Sequence, residues 1–192
     1  MLKSKQKLII VEAPQGGGKT TLTNMLRDGI TSTILLRLSG TPEPNKVHSY
    51  EYHLAYLKTI KELGYVGLNH VLDRSYISEQ VYARLGFKDY EFDDCAEKLN
   101  QFLLSMQDEY DIHFILLEAD KETYINRLKR DKPQYDVAKF SAENSIKQLN
   151  MYKECLSLIN IGSSDNFHIH YLNNANLSSK QTFQKVLELI GQ

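Results

Sequence analysis

Between Lys7 and Leu22 an apolar run, Leu8 to Val11, leads into a glycine-rich turn that ends in Lys19-Thr20-Thr21 and opens a helical pattern. Gly16, Gly17 and Gly18 let backbone N–H groups converge without Cβ obstruction, and Lys19 follows where a helix dipole favours anions. The chemistry served is the cradling of phosphates. Gln15, Gly16, Gly17, Gly18, Lys19, Thr20 and Thr21 would surround a nucleoside triphosphate, ATP, with the Thr20 hydroxyl on its Mg2+ ion. The GxxxxGK[ST] spacing holds except at its first glycine, where Ala13 stands. Alanine is the costlier residue there if the turn needs φ > 0. A glycine-rich strand-to-helix turn without a ligand is the competing explanation.

Two further groups could join this chemistry. Asp73-Arg74-Ser75 follows the apolar pair Val71-Leu72. An aspartate at the tip of a buried strand can organise magnesium or its water, or orient an attacking hydroxyl, and the arginine beside it can grip a second phosphate in bidentate fashion. An ordinary ion pair at a helix start would use the same residues. Arg127, Lys129, Arg130 and Lys132 form a cationic cluster at a helix end, before Pro133-Gln134-Tyr135-Asp136. Cations there also suit the helix dipole alone. In a phosphotransferase, a mobile arginine-bearing lid would neutralise the transferring group and exclude water, and Arg127 and Arg130, three apart, share a helix face.

These groups need a scaffold that gathers strand ends. Apolar runs alternate with amphipathic stretches, the pattern of an α/β fold in which helices cover both faces of a parallel sheet. Five strands are expected at Leu8 to Val11, Thr33 to Leu38, Leu68 to Leu72, His113 to Leu117 and His168 to Leu172. Helices are expected at about Lys19 to Asp28, Val47 to Leu63, Ile77 to Leu85, Asp93 to Tyr110, Lys121 to Arg130, Ala142 to Leu158 and Ser179 to Ile190. Ligands in such folds collect beyond the carboxyl ends of the strands, where Arg37, Asp73 and the glycine loop fall.

The chain of 192 residues is the size of one domain, and 42% hydrophobic with 24% charged residues excludes disordered and fibrous classes. A net charge of −1 argues against a protein whose main business is coating nucleic acid, although a local basic groove stays open. Cys95 and Cys155 lie outside any CxxC pattern, and no membrane span or signal peptide is visible, so a reducing cytoplasm is the expected compartment. His48, His70, His113, His168 and His170 show no ligand spacing and are assigned no metal or catalytic role. The aromatic run Tyr50, Tyr52, His53 and Tyr56 is either core or the wall of a base pocket.

The order of phosphate loop, strand ending in arginine, Asp73-Arg74-Ser75 with Ser78 and Tyr82 just beyond, and arginine-rich lid resembles thymidylate kinase and its deoxynucleoside-kinase cousins over nearly the whole chain. The resemblance implies one P-loop NTPase domain over residues 1–192, three-layered, with a lid at about 127–141. It implies donor-phosphate binding by Lys19, metal or water binding by Thr20 and Asp73, and acceptor-phosphate binding by Arg37 and Arg74. Ser78 and Tyr82, with Gln80, are placed beside the acceptor. Arg130, with Arg127 near the donor, would be the lid arginine, because Gly16 occupies the loop position where one variant of the family carries its catalytic arginine. Gln15 stands where thymidylate kinases have an acidic residue, so base or sugar preference is open. A homodimer is a further implication.

The expected activity is transfer of the ATP γ-phosphate to a small nucleoside monophosphate, dTMP-like, with Lys19, Asp73, Arg74 and Arg130 as the catalytic set. Three readings compete. A deoxynucleoside kinase would use a carboxylate such as Glu43 as base. A kinase of a modified base in DNA, or an ATP-binding regulatory module, would keep the loop but change the acceptor.

Overall fold

The computed structural model describes residues 5–39, 45–131, 141–159 and 165–192. Strands β1 (Gln6–Glu12), β2 (Thr33–Arg37), β3 (Asn69–Asp73), β4 (Tyr110–Glu118) and β5 (Phe167–Asn173) alternate with helices α1 (Lys19–Gly29), α2 (Lys46–Leu63), α3 (Tyr76–Arg84), α4 (Asp93–Leu104), α5 (Lys121–Asp131), α6 (Ala142–Ser157) and α7 (Ser179–Leu189). Among these residues the strands form one parallel sheet in the order β2-β3-β1-β4-β5. No described helix is long and apolar enough to cross a membrane.

The central strand explains the layering. Leu8 to Val11 are fully buried, and a strand covered on both faces needs an unbroken apolar run rather than an alternating one. Leu8 and Ile10 join a core with side chains of α2, α3, α4 and α6, while Ile9 and Val11 join a second core with Leu22 and Leu26 of α1 and Val186 of α7. The chain leaves β1 toward one edge and later returns to its other side, so the switch in strand order falls between β3 and β4, beside the end of β1. Register then sets the site: Val11 and Arg37 both pair with Asp73.

Every expected strand and helix is present, with shifted ends. The largest correction concerns α4, which ends at Leu104 instead of running on to Tyr110. Leu103, Met106 and Tyr110 are all fully buried, so the helical spacing of apolar residues outlasts the helix. Ser105 breaks it, its hydroxyl donating back to the Phe102 carbonyl, and β4 begins at Tyr110. The loop at Gly40 to Pro44, including Glu43, and the lid residues Lys132 to Phe140 lie outside the described residues.

Candidate active site

The phosphate loop runs from Ala13 to Gly18 between β1 and α1. Gly16 (φ 76°) and Gly18 (φ 91°) take the left-handed backbone that side chains resist, and Gly18 is the N-cap of α1. Ala13 is not among the described residues with positive φ. Its methyl group instead fills the space that a Cβ on Gly17 would need, 2.5 Å away. The glycine demand has therefore moved from the first template position to Gly17. Lys19 is buried, and its ammonium donates to the carbonyls of Ala13 (2.7 Å) and Pro14 (3.3 Å), so it is poised across the loop.

The metal and acceptor side is built by β2 and β3. Thr20 Oγ1 donates to Asp73 Oδ2 at 3.0 Å, and Thr23 Oγ1 reaches the same oxygen at 3.5 Å. Two oxygens bound to one octahedral Mg2+ lie about 2.9 Å apart, given metal–oxygen distances of about 2.0–2.1 Å. A hydroxyl and a carboxylate at that spacing suit this hard cation, and Thr20 with Asp73 would hold it. Arg37 donates to Asn24 Oδ1 and lies 3.9 Å from Asp73 Oδ2, with its side chain 53% exposed.

Arg74 is fixed by backbone and side chain together. Its φ of 78° is rare for a residue with Cβ, a strained geometry of the kind that gathers at functional sites, and its N–H donates to the Val11 carbonyl at 3.1 Å. Nη1 donates to Tyr82 OH (3.0 Å), Ser78 Oγ (3.3 Å) and Tyr152 OH (3.5 Å). Burial works against this charge, yet the oxygens of Tyr152 and Tyr82 and the carboxylate of Glu12 hold its pKa above the usual arginine value.

Glu12 was not singled out in the sequence. Fully buried at the last position of β1, it accepts from the Ser75 N–H, Ser75 Oγ and Ser78 Oγ, each at 2.7 Å. Burial raises its pKa, while the serine hydroxyls, Arg74 and Lys19 oppose the rise. Tyr152 lies 2.7 Å from Ser78 Oγ, and burial lifts its phenol well above the usual range. Glu12 thus anchors the start of α3 and faces the guanidinium at the cleft. The available signal was a lone acid closing an apolar strand. Tyr152 carried no local signal, since α6 brings it from far along the chain.

The loop and α6 are joined directly. Gln15 N–H donates to Gln148 Oε1 (3.3 Å), Ser145 Oγ donates to the Gln15 carbonyl (3.0 Å), and Gln15 Nε2 donates to Tyr82 OH (3.4 Å). Arg127 reaches the loop from α5, donating to Asn174 Oδ1 (2.9 Å), the Asn174 carbonyl (2.8 Å) and the Gly17 carbonyl (3.5 Å). Asn174 Nδ2 also donates to Gly17 O at 3.0 Å. Arg130 is 72% exposed and paired with Asp131.

Two cavities flank the loop. One of about 410 Å³ is lined by Gly16, Thr21, Arg127, Arg130 and Ser178, among others. The other, about 570 Å³, runs from Gln15 to Thr21 across to Arg37, Asp73 and Arg74. The structure therefore brings together the loop, Arg37, Asp73, Arg74, Tyr82 and the two α5 arginines. Ser78 is buried beneath Arg74, and Gln80 is turned to Asp93 of α4, away from the cleft. Tyr50, Tyr52 and Tyr56 pack on the core instead of lining the second cavity, and His53 is buried between Tyr76 and Phe92.

No protein-family model matches the chain. It is 26% identical over 207 residues to "Probable thymidylate kinase 1" of Saccharolobus solfataricus, spanning 96% of this chain and 97% of that protein. The YorR protein of Bacillus subtilis, solved in complex with phosphorylated GDP, has a TM-score of 0.62 at 20% identity over 96% of this chain and 95% of its own. Deoxyadenosine kinase from M. mycoides with bound dCTP has a TM-score of 0.58 at 16% identity over 96% and 98% of the two chains. Its phosphate loop and strand order give the chain the fold of these P-loop kinases, and it is similar along nearly its whole length to a thymidylate kinase.

Proposed function

We propose that this kinase transfers the γ-phosphoryl group of ATP to a deoxynucleoside monophosphate, with a dTMP-like acceptor as first choice. The observation that carries the reading is the second cavity, in which the phosphate loop and Lys19 form one wall and Arg37 and Arg74 the other. A cleft with cations on both walls suits two phosphate-bearing molecules facing each other. Phosphoryl transfer asks for positioning and charge neutralisation more than covalent chemistry. Lys19 and the loop N–H groups would hold the donor phosphates. Arg74, braced by Tyr82 and Glu12, would hold the acceptor phosphate, and Arg37 would turn from Asn24 to meet it. The magnesium ion of the donor would be held by Thr20 and Asp73 and would screen charge between phosphates. Arg127 steadies the loop from α5, and Arg130 is the lid cation that would swing inward. Assembly as a homodimer is part of the same proposal.

Arg37 also favours a second reading. It is engaged by Asn24 and Asp73, on the magnesium side of the cleft, and an acceptor without a phosphate would leave it there. The acceptor would then be a deoxynucleoside, with Glu43 as base. ADP release from ATP-Mg2+ with a panel of nucleosides and nucleoside monophosphates separates the two, with Lys19→Ala as the blank. Turnover on a monophosphate that vanishes in the variant is expected. Turnover on nucleosides alone moves the assignment to the second reading, and silence across the panel overturns both.

A further inference from the structure

At the amino ends of β4 and β5, on the sheet face covered by α1 and α7, parallel pairing sets His113 beside His168 and Ile115 beside His170, while β1 sets Lys7 beside Asp111. Alternate residues of a strand share a face, so Lys7, Asp111, His113, His168 and His170 project the same way. Both Asp111 oxygens are engaged there: Oδ1 lies 3.1 Å from His168 Nε2, and Oδ2 lies 3.0 Å from His113 Nε2. All three donor groups fall within 4.8 Å of one another.

The geometry around His113 is more specific than an ion pair. The residue is buried, and its Nε2, though close to Asp111 Oδ2, is off the line that an N–H···O hydrogen bond requires. Its Nδ1 lies 3.2 Å from His170 Nε2. An Nδ1–H donated to His170 leaves Nε2 with a lone pair beside the Asp111 carboxylate, a place for a shared cation rather than a shared proton. An outer partner fixes the tautomer of a metal-ligating imidazole in just this way. The donor atoms of a tetrahedral ion, with bonds of about 2.0–2.2 Å, lie about 3.3–3.6 Å apart, close to the two spacings from Asp111 to the imidazoles.

We propose that Asp111, His113 and His168 bind a divalent transition-metal ion, with Zn2+ first in preference and His170 as the partner that orients His113. Two imidazoles and one carboxylate suit Zn2+ and its neighbours, whereas Mg2+ prefers oxygen alone. The site is separate from the phosphate loop, because it sits at the opposite ends of the strands. Its effect follows from its place: β5 is an edge strand paired with β4 alone among the described strands, and an ion shared between them fastens that edge. Lys7 Nζ, 3.0 Å from Asp111 Oδ2, competes for the same oxygen.

The test uses full-length protein stripped with EDTA and free of nucleotide, titrated with Zn2+ by calorimetry and with Co2+ by visible absorption. Nitrogen-rich, low-coordinate Co2+ absorbs intensely, and an oxygen-ligated ion at the phosphate loop does not. One equivalent of metal should bind, with a strong Co2+ band that Zn2+ displaces and a rise in Tm that Mg2+ does not reproduce. His168→Ala, at a partly exposed position, should keep its circular dichroism spectrum and weaken binding about 100-fold, since even an outer partner is worth roughly 10–100-fold. Lys7→Met should bind at least as tightly as the parent. Absence of one-equivalent binding, equal binding by His168→Ala, or weaker binding by Lys7→Met overturns the proposal.

Discussion

The Thr20 hydroxyl donates to Asp73 Oδ2 at 3.0 Å, joining the first turn of α1 to the last residue of β3 across the mouth of the phosphate loop. If this pair holds the donor's magnesium, Thr20→Ala and Asp73→Asn should each lower kcat by about 100-fold, the scale seen when one charge-stabilising group is lost. Both should also need more Mg2+ for half-maximal rate, while Thr20→Ser stays near the parent. A variant with reduced kcat and an unchanged Mg2+ profile would place the pair in structure alone.

Glu12 predicts a stability effect. Truncation to alanine strips three donors of their acceptor and leaves Arg74 without its buried counter-charge, so Glu12→Ala should lose about 3 kcal/mol or more in urea unfolding. Glu12→Gln retains an oxygen for the serine hydroxyls and should lose much less. Equal losses would mean that volume, rather than the polar network, is what matters at this position.

His53 contributes a pH dependence that one variant can isolate. Burial, partly offset by Glu79, pushes its pKa down to about 4, against 6.5 for the free side chain, so between those values the unfolded chain binds the extra proton. The stability this neutral histidine contributes is complete above about pH 6.5 and is lost as pH falls toward 4. From pH 7 to pH 5 the loss should be about 2 kcal/mol, at 1.36 kcal/mol per pKa unit. Urea midpoints of the parent and His53→Phe across that range check it: the variant's curve should be flatter by that amount.

The two neighbours in the loop make a paired test. Gly17→Ala drives a methyl group into that of Ala13, so nucleotide binding, measured with a fluorescent ATP analogue, should fall by tenfold or more. Adding Ala13→Gly removes the obstructing methyl and should recover part of the loss, a coupling that independent sites would not show.

Legibility tracked chain locality. The loop, Asp73-Arg74 and every helix and strand could be read because contiguous residues carry them, by spacing, apolar runs or caps. Ala13 looked like a defect until the backbone showed it packed against Gly17. The end of α4 was misread because burial kept the helical period alive through Met106 and Tyr110. Glu12 was hidden by being a single acid in a strand whose neighbours are all apolar. Tyr152, Asn174 and the His113–His168 cluster could not be seen at all, since only sheet order and register bring them to their partners.

The hydrogen bonds of Arg127 have a mechanical meaning. By grasping both Asn174 and the Gly17 carbonyl, this side chain joins the stretch after β5, the phosphate loop and the middle of α5. α5 therefore has a fulcrum one turn before its end. In the closing motion proposed above, the residues up to Arg127 would stay with the sheet and the arc would belong to the last turn of the helix, with Arg130 on the short arm of the lever. Cutting that fulcrum with Arg127→Ala would slacken the loop and uncouple the swing from the nucleotide beneath it.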